Sequence, residues 1–306
     1  MQERLENGLV VRVTGGEVWV RVGDQVLPTS QRGRGRVTAS GVPVVAGDRV
    51  TVLRDDTGGA RLEGALPRSS WLSRYVERGS SERVVVANIE RLFVVTAAAD
   101  PPLRTGFIDR VLASAEYGHI IPVIIFNKSD LSEPGQLAAL RETYAPSLYE
   151  LVETCAITGR GIDAIAERIK DGVYAFVGES GVGKSSIMNR LDPDLDLTVD
   201  DVTEKTGRGR HTTTNAQLFP FRGGFLADTP GMQTFTFPGT DEQVLESSFP
   251  EIAHISGHCR FNPCTHSHEP GCHVKEAVEG ARIPRSRYQS YLDILSGIRE
   301  RAKKQW

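Results

Sequence analysis

The sequence predicts a multidomain α/β protein with an N-terminal OB-fold β-barrel, a central parallel-sheet domain and a C-terminal helical domain. Three observations lead to this prediction. Short strands and glycine turns fill residues 1–66, strands alternate with helices over residues 67–238, and residues 239–306 are irregular and then helical. Short strands between turns are typical of small barrels, whereas alternating strands and helices are typical of parallel sheets covered on both faces.

The barrel is predicted from alternating polar and apolar residues. Residues 17–22 and 49–53 alternate with a period of two, and glycine-containing turns such as Gly15-Gly16 and Gly47-Asp48 separate the strands. A five-stranded OB-type barrel fits this length, and an SH3-like barrel fits it nearly as well.

The central domain is predicted from continuous apolar runs. The predicted strand at 91–96 has a continuous apolar run at 92–95, and residues 120–126 are apolar throughout, as expected of strands buried on both faces of a parallel sheet. Helices are predicted at 107–117, 134–144 and 162–169, and further strands near Leu151 and at 173–177.

Composition narrows the class of protein. The 306 residues carry a net charge of −3, and no apolar run reaches the roughly 20 residues of a membrane span. We expect a soluble, cytoplasmic monomer that does not bind membranes. Residues 31–36 and 281–306 are locally basic, which fits either a solvated face or contact with nucleic acid.

A phosphate-binding loop follows the predicted strand at 173–177. Gly178 and Gly183, with four residues between them, precede Lys-Ser, a pattern whose backbone amides can surround phosphates at a helix N-terminus. Lys184 is expected to reach the β- and γ-phosphates, and Ser185 to bind Mg²⁺. The expected nucleotide contacts in this loop are Gly178, Glu179, Ser180, Gly181, Val182, Gly183, Lys184, Ser185 and Ser186.

A guanine-reading motif follows the strand at 120–126. In Asn127-Lys128-Ser129-Asp130, the Asp130 carboxylate can accept two hydrogen bonds from guanine, which adenine cannot offer. Lys128 is expected to pack on the base and Asn127 to brace the loops. Cys155 and Ala156 are in a segment similar to the loop that completes a base pocket, although Cys155 is equally compatible with plain core.

A third motif, Asp228-Thr229-Pro230-Gly231, ends another apolar strand. Asp228 is expected to hold the Mg²⁺ shell and Gly231 to sense the γ-phosphate. Thr213, in the long polar segment 192–215, is expected to close on Mg²⁺. Met232 stands where many GTPases have a water-orienting glutamine, so His211 is the candidate for this role.

These motifs point to a GTP-hydrolysing enzyme with His211, Thr213 and Lys184 as its catalytic residues. Their order is permuted, because the guanine motif at Asn127 precedes the phosphate loop at Gly178. Such a permutation is possible when the original termini lie close together. It places the Asp-x-x-Gly motif next to the C-terminal domain.

A cysteine–histidine cluster near the C-terminus predicts a metal site. Cys259, Cys264, His266 and Cys272 provide the three thiolates and one imidazole of a closed, structural Zn²⁺ site. His268 is the main alternative to His266. A reduced cysteine cluster or a disulfide with one free thiol remains the alternative to zinc.

Together these residues resemble the RsgA (YjeQ) family of circularly permuted GTPases of small ribosomal subunit assembly. The resemblance covers nearly the whole chain and rests on the motif order, on residues 209–214 and on residues 259–272. It implies an OB-fold, a permuted P-loop GTPase and a zinc-binding domain, with GTP/GDP, Mg²⁺ and one structural Zn²⁺ as ligands.

The resemblance also implies that the protein docks on the small (30S) ribosomal subunit and its rRNA late in maturation. Hydrolysis stimulated by the subunit, with His211 as the catalytic histidine, would make it an assembly checkpoint and release factor. Two other hypotheses stay open: an RNA-docking scaffold whose nucleotide is structural, favoured by Met232, and a redox sensor built on the three-thiolate cluster.

Overall fold

The first five strands form a barrel. The computed structural model describes residues 3–14, 17–30, 43–54, 59–76, 81–195, 216–228 and 236–303. The barrel strands are β1 (Glu3–Thr14), β2 (Glu17–Val22), β3 (Gln25–Ser30), β4 (Arg49–Arg54) and β5 (Ala60–Ala65).

These strands pair in the order β1-β2-β3-β5-β4, and β4 pairs again with β1, so the sheet closes on itself. The interior is filled by small branched side chains, among them Val10, Val20 and Val50, none of which is exposed. Gly8 allows close packing there, since a Cβ on it would lie 2.6 Å from Val20. The five-stranded barrel is OB-like, as predicted.

A short hairpin follows the barrel, formed by β6 (Trp71–Val76) and β7 (Ser81–Ala87). Arg68, just before it, makes a bidentate ion pair with the buried Asp48 at 2.8 and 2.9 Å. The same guanidinium donates to the Pro43 carbonyl at 2.9 Å. These contacts fix the chain where it leaves the barrel.

The central domain contains a six-stranded part of the sheet. Its elements are β8 (Ile89–Ala97), α1 (Thr105–Tyr117), β9 (Ile121–Asn127), α2 (Gln136–Tyr144), β10 (Glu150–Glu153), α3 (Ile162–Ala166), β11 (Val173–Val177), α4 (Lys184–Leu191), β12 (Gln217–Phe221) and β13 (Gly224–Asp228). The strand order is β10-β9-β8-β11-β13-β12, and only β12 runs antiparallel to its neighbour within this part.

Helices cover both faces of this sheet, as predicted. One core packs α1 and α2 against one face, with Phe107 and Leu140 among its members. The other core packs α3 and α4 against the opposite face, with Ile165 and Ile187. Helix α3 ends at Ala166, earlier than the predicted limit at residue 169.

The C-terminal domain is helical, as predicted, and has its own core. It contains α5 (Glu242–Ser247), α6 (Pro250–Ser256), α7 (His273–Glu279) and the long α8 (Arg285–Lys303). Phe249, Ile252 and Leu295 are nearly inaccessible to solvent and pack together. Within the described part of the chain, no helix has the length and apolarity of a membrane span.

A fully buried ion network joins the C-terminal domain to the central domain. Arg287 of α8 donates to Asp109 of α1 at 2.9 Å and to Glu251 of α6 at 2.7 Å. Asp109 also accepts hydrogen bonds from Tyr144 and from Ser290. Removing one member of such a network leaves a buried charge unpaired, so the network holds α8 in one orientation on α1.

Candidate functional site

Four described loops and the end of β13 meet at the carboxyl edge of the central sheet. The loops follow the parallel strands β8, β9, β10 and β11 and include the predicted guanine motif, the base loop and the phosphate loop, and Asp228 is the last residue of β13. This edge is where open parallel α/β sheets bind their ligands. The parallel pairing of these strands therefore brings the described motif residues to one edge of the sheet, although their order along the chain is permuted.

The phosphate loop connects β11 to α4 through positions that only glycine adopts without strain. Gly181 and Gly183 have φ angles of 80° and 96°, which favour glycine. A Cβ on Gly178 would lie 2.3 Å from the Val95 carbonyl oxygen, and one on Gly183 would lie 2.3 Å from Nδ2 of Asn127. The motif's glycines are thus required by the fold itself.

Lys184 lies at the start of α4, folded back over the loop. Its Nζ donates to the carbonyls of Gly178 at 2.9 Å and Glu179 at 2.8 Å. Burial lowers the pKa of Lys184 to about 8 from its ordinary 10.5, because the charged amine is taken out of water. The neighbouring Ser185 is 5% exposed. The predicted phosphate ligand Lys184 and the predicted Mg²⁺ ligand Ser185 therefore both lie in the first turn of α4, directly after the phosphate loop.

Asn127 connects three loops. It is 1% exposed, and its Nδ2 donates to the Val182 carbonyl of the phosphate loop at 2.9 Å. Its Oδ1 accepts from the Thr154 hydroxyl at 3.1 Å and from the Ala156 amide at 3.2 Å. One side chain thereby fixes the base loop relative to the phosphate loop.

Asp130 is exposed at the rim of this edge, with Cys155 buried beneath it. The Cys155 thiol donates to Oδ1 of Asp130 at 3.0 Å. This hydrogen bond is the main cause that lowers the pKa of Asp130, so the carboxylate stays ionised. The Lys128 amine lies nearby and donates to the Asp100 carbonyl. The sequence left open whether Cys155 belongs to the base pocket or to the core. In the structure it is buried and it also contacts Asp130, the predicted guanine reader.

Two arginines that sequence reasoning missed also shape this edge. Arg190 of α4 donates to the carbonyls of Ala156 at 3.0 Å and Ile157 at 2.6 Å, which holds the base loop against α4. Arg104 lies 3.3 Å from Glu179 of the phosphate loop. No motif singles out these arginines, because their partners are distant in sequence.

The third motif is described only at its first residue. Asp228 ends β13, which pairs in parallel with β11, the strand before the phosphate loop. Neighbouring parallel strands end at the same edge, so Asp228 and Ser185 are on adjacent connections. The predicted residues His211, Thr213 and Gly231 lie outside the described residues.

A second candidate site lies between α6 and α7. Donor atoms of the four predicted ligands Cys259, Cys264, His266 and Cys272 all lie within 4.8 Å of one another. The Cys259 and Cys272 sulfurs are 3.8 Å apart, and His266 Nδ1 is 3.4 Å from the Cys272 sulfur. Zn–S bonds of about 2.3 Å in a tetrahedron place sulfurs about 3.8 Å apart, so this donor set fits zinc.

The histidine of this cluster is oriented by a carboxylate that the sequence did not reveal. His266 Nε2 is 2.9 Å from Glu246 of α5, so Nδ1 faces the thiols. A carboxylate on the far ring nitrogen is the usual outer partner of a metal-bound histidine. Burial raises the pKa of the Cys264 thiol to about 12 and that of Cys272 as well, so metal binding would release protons. The alternative ligand His268 is exposed and bonds to Ser267.

The chain is similar to known proteins along almost its whole length. A family model described as RsgA GTPase matches residues 65–238. A protein named small ribosomal subunit biogenesis GTPase RsgA, from Gemmatimonas aurantiaca, is 39% identical over 302 residues, covering 96% of this chain and 98% of that one. A protein of the same name from Saccharophagus degradans is 37% identical, covering 95% of this chain and 87% of that one.

Two solved structures have a similar fold. YjeQ from Thermotoga maritima superposes with a TM-score of 0.77 at 32% identity, covering 97% of this chain and 99% of that one. YloQ, described as a circularly permuted GTPase, superposes with a TM-score of 0.74 at 26% identity, covering 98% and 96%. The chain therefore belongs to the RsgA family of GTPases, and its own motifs follow the circularly permuted order.

Proposed function

We propose that this GTPase acts on the small (30S) ribosomal subunit late in its maturation. The subunit would stimulate hydrolysis, and hydrolysis would release the protein, as in an assembly checkpoint. The convergence of the guanine motif, the phosphate loop and Asp228 at one sheet edge supports nucleotide binding. The ribosomal role is supported by relatives named for small ribosomal subunit biogenesis.

Each residue at the edge would have a defined task. Asp130, kept ionised by Cys155, would accept the two guanine hydrogen bonds, and Lys128 would pack on the base. Lys184 would leave its carbonyl partners for the β- and γ-phosphates. Bound Mg²⁺ would neutralise charge on the phosphate oxygens, held by Ser185, Thr213 and Asp228. His211 would orient the attacking water and the Gly231 amide would sense the γ-phosphate.

Few basic residues of the tail would be available to contact rRNA. Three arginines of the basic tail have partners within the protein: Arg287 in the buried network, Arg299 on Glu242, and Arg301 on backbone carbonyls. Arg282 and Arg285 are exposed. Because few phosphates would be neutralised, we propose that binding depends only weakly on salt. The predicted basic patch at 31–36 lies outside the described residues.

The Cys₃His cluster would hold one structural Zn²⁺ through Cys259, Cys264, His266 and Cys272. With four protein ligands no coordination position is left open, so the ion would stabilise the fold rather than take part in hydrolysis. We further propose that the protein works in the cytoplasm as a monomer.

The test is GTP hydrolysis with and without purified small subunits, with ATP as the control nucleotide. We expect stimulation by the subunit confined to GTP. In the presence of the subunit, His211→Ala is expected to lower kcat by about 10²-fold or more, because general-base and water-orienting groups contribute on this scale. GTP affinity should stay unchanged in this variant.

Flat, slow turnover despite measurable subunit binding would contradict this proposal. It would instead favour the scaffold whose nucleotide is structural, which Met232 at the glutamine position suggests. Unchanged turnover in His211→Ala would show that another residue orients the water.

Cys155 offers a test of the guanine site alone. Cys155→Ala removes the thiol hydrogen bond to Asp130, so GTP and GDP should both bind about two- to tenfold more weakly, the usual range for one hydrogen bond. Cys155→Ser keeps a donor and should bind both nucleotides like the parent protein. Titration with a fluorescent GDP measures this. Equal affinity of the alanine and serine variants would show that the thiol does not support Asp130.

A further inference from the structure

Helix α4 contacts both ends of the nucleotide site. Its first turn contains Lys184 and Ser185, the residues assigned to the phosphates and to Mg²⁺. Arg190, in its last turn, donates from Nε to the Ala156 carbonyl at 3.0 Å and from a terminal nitrogen to the Ile157 carbonyl at 2.6 Å. One helix therefore supports the phosphate loop at one end and the base loop at the other.

The carbonyls that accept from Arg190 lie where the base loop leaves the core. Ala156 is buried, but the Ile157 side chain is 77% exposed, so packing does not fix the chain beyond Ala156. Among the described residues, Arg190 is the only hydrogen-bond donor to these two carbonyls. Hydrogen bonds from a charged donor are about twice as strong as those between neutral groups. The position of residues 156 and 157 therefore depends on Arg190.

Helix α4 is a rigid support for Arg190. Ile187, Met188 and Leu191 belong to the core of the central domain, and none of them is more than 2% exposed. Arg190 lies on the exposed side of this helix. In the described part of the chain its guanidinium has no carboxylate partner, so no ion pair competes with the two carbonyls for it.

The part of the base loop that Arg190 holds also supports the guanine reader. Cys155, next to Ala156 in the chain, donates its thiol hydrogen to Asp130 at 3.0 Å. The Ala156 amide donates to Asn127 of the guanine motif at 3.2 Å. Ala156 is thus held by its amide from Asn127 and by its carbonyl from Arg190. A shift of Ala156 would move the Cys155 thiol away from Asp130.

We propose that Arg190 is a positioning residue for guanine recognition, because it holds the base loop so that the Cys155 thiol stays against Asp130. Asp130 is to accept two hydrogen bonds from guanine, and a site built on such a pair loses discrimination when its acceptor moves. Arg190 acts through Ala156 and Cys155 rather than on the nucleotide itself. The inference rests on the nucleotide site proposed above.

The test compares GDP with IDP, whose base lacks the exocyclic amine that guanine would donate to Asp130. For Arg190→Met we expect GDP to bind about tenfold more weakly and IDP no more than about threefold more weakly, so discrimination between them falls at least about threefold. A merely structural role would weaken both nucleotides equally. Titration with a fluorescent GDP, followed by its displacement with GDP or IDP, measures both affinities.

Two further variants separate positioning from other effects. In a Cys155→Ala background, Arg190→Met should weaken GDP binding by less than about twofold, because residues that act through one contact are not additive. Arg168→Met is the matched control, since Arg168 also donates to a backbone carbonyl but pairs with Glu150 at the start of β10, on the opposite edge of the sheet. It should bind GDP and IDP like the parent protein.

Equal weakening of GDP and IDP in Arg190→Met, or no change in either, overturns the proposal. So does a loss in the Cys155→Ala background as large as in the parent. Should Arg190→Met fail to fold, Arg190→Lys keeps the charge and can reach one carbonyl, and it should show the same selective loss in milder form. A parent that binds no guanine nucleotide would refute the proposed function, whereas a parent and an Arg190→Met variant with the same preference for GDP over IDP remove only this inference.

Discussion

Lys184→Met is expected to lower kcat for GTP hydrolysis by about 10²–10³-fold. A positioned donor that meets charge developing in the transition state contributes on this scale. The amine is held by the carbonyls of Gly178 and Glu179, so it already lies against the phosphate loop before nucleotide binds. GTP affinity should also fall, since the variant keeps the length of the side chain but not its charge.

The pH dependence of binding gives Lys184 a second, independent signature. Burial lowers its pKa to about 8, so the free protein loses this proton as the pH rises through 8. A phosphate chain binds the charged amine better, so GDP affinity should fall as the pH rises from 7 to 9. The slope should approach tenfold per pH unit above 8. In Lys184→Met this slope should vanish.

Lys170→Met is the matched control, because Lys170 is exposed just before β11. It should keep both the turnover of the parent and the pH slope. Fluorescent-GDP titrations at several pH values, together with phosphate release at pH 7, measure both effects. A slope that persists in Lys184→Met would assign the titration to another group and contradict the role given to Lys184.

The phosphate loop could be predicted from sequence because its geometry is local. Gly181 and Gly183 adopt positive φ, and Gly178 faces a backbone carbonyl, so the residue types themselves report the backbone path. The strand before the loop and the helix after it are equally visible as apolar patterns. Short-range motifs of this kind carry their own structural signal.

The barrel strands that sequence reasoning did not single out lack a clear pattern. Pro28 in β3 cannot donate a ladder hydrogen bond, and Gly64 interrupts β5. Both residues normally argue against a strand. Pairing with β2 and β4 overrides these local preferences, and such pairing becomes visible only when the barrel closes.

The helices α5, α6 and α7 were missed for a different reason. They have six or seven residues each, too few to show a helical period or to be stable alone. They form because Phe249, Ile252 and Val274 pack into the C-terminal core. Packing against tertiary neighbours therefore stabilises helices that local signals, such as the Asp241 cap of α5, would not stabilise alone.

Partners distant in sequence also changed the interpretation of the basic tail. The sequence left it open whether this tail is a solvated face or contacts nucleic acid, yet Arg287 is fully buried on Asp109, 178 residues away in the chain. Arg190, Glu246 and Arg301 likewise act on residues that no local pattern connects to them. A sequence shows which residues are charged, but it does not show which residues they contact in the fold.

Loss of one ligand of the Cys₃His cluster should have the largest effect on stability. Cys272 is 2% exposed, and it belongs both to the Cys₃His cluster and to the C-terminal core, where it packs with residues such as Val274. Cys272→Ala should lower the zinc content from about one ion per chain to near zero. Loss of a structural metal is among the most destabilising changes. We therefore expect Cys272→Ala to lower the free energy of unfolding of the C-terminal domain by more than about 4 kcal/mol.

His268→Ala is the matched control, because this histidine is exposed and bonds to Ser267 rather than to the cluster. It should keep its zinc and its melting temperature. Glu246→Ala should retain zinc but bind it about 10–100-fold more weakly, since the carboxylate orients His266 without touching the ion. Metal analysis and competition with a chelator measure both. Zinc lost equally from His268→Ala and Cys272→Ala would show that the four-residue cluster is not the site.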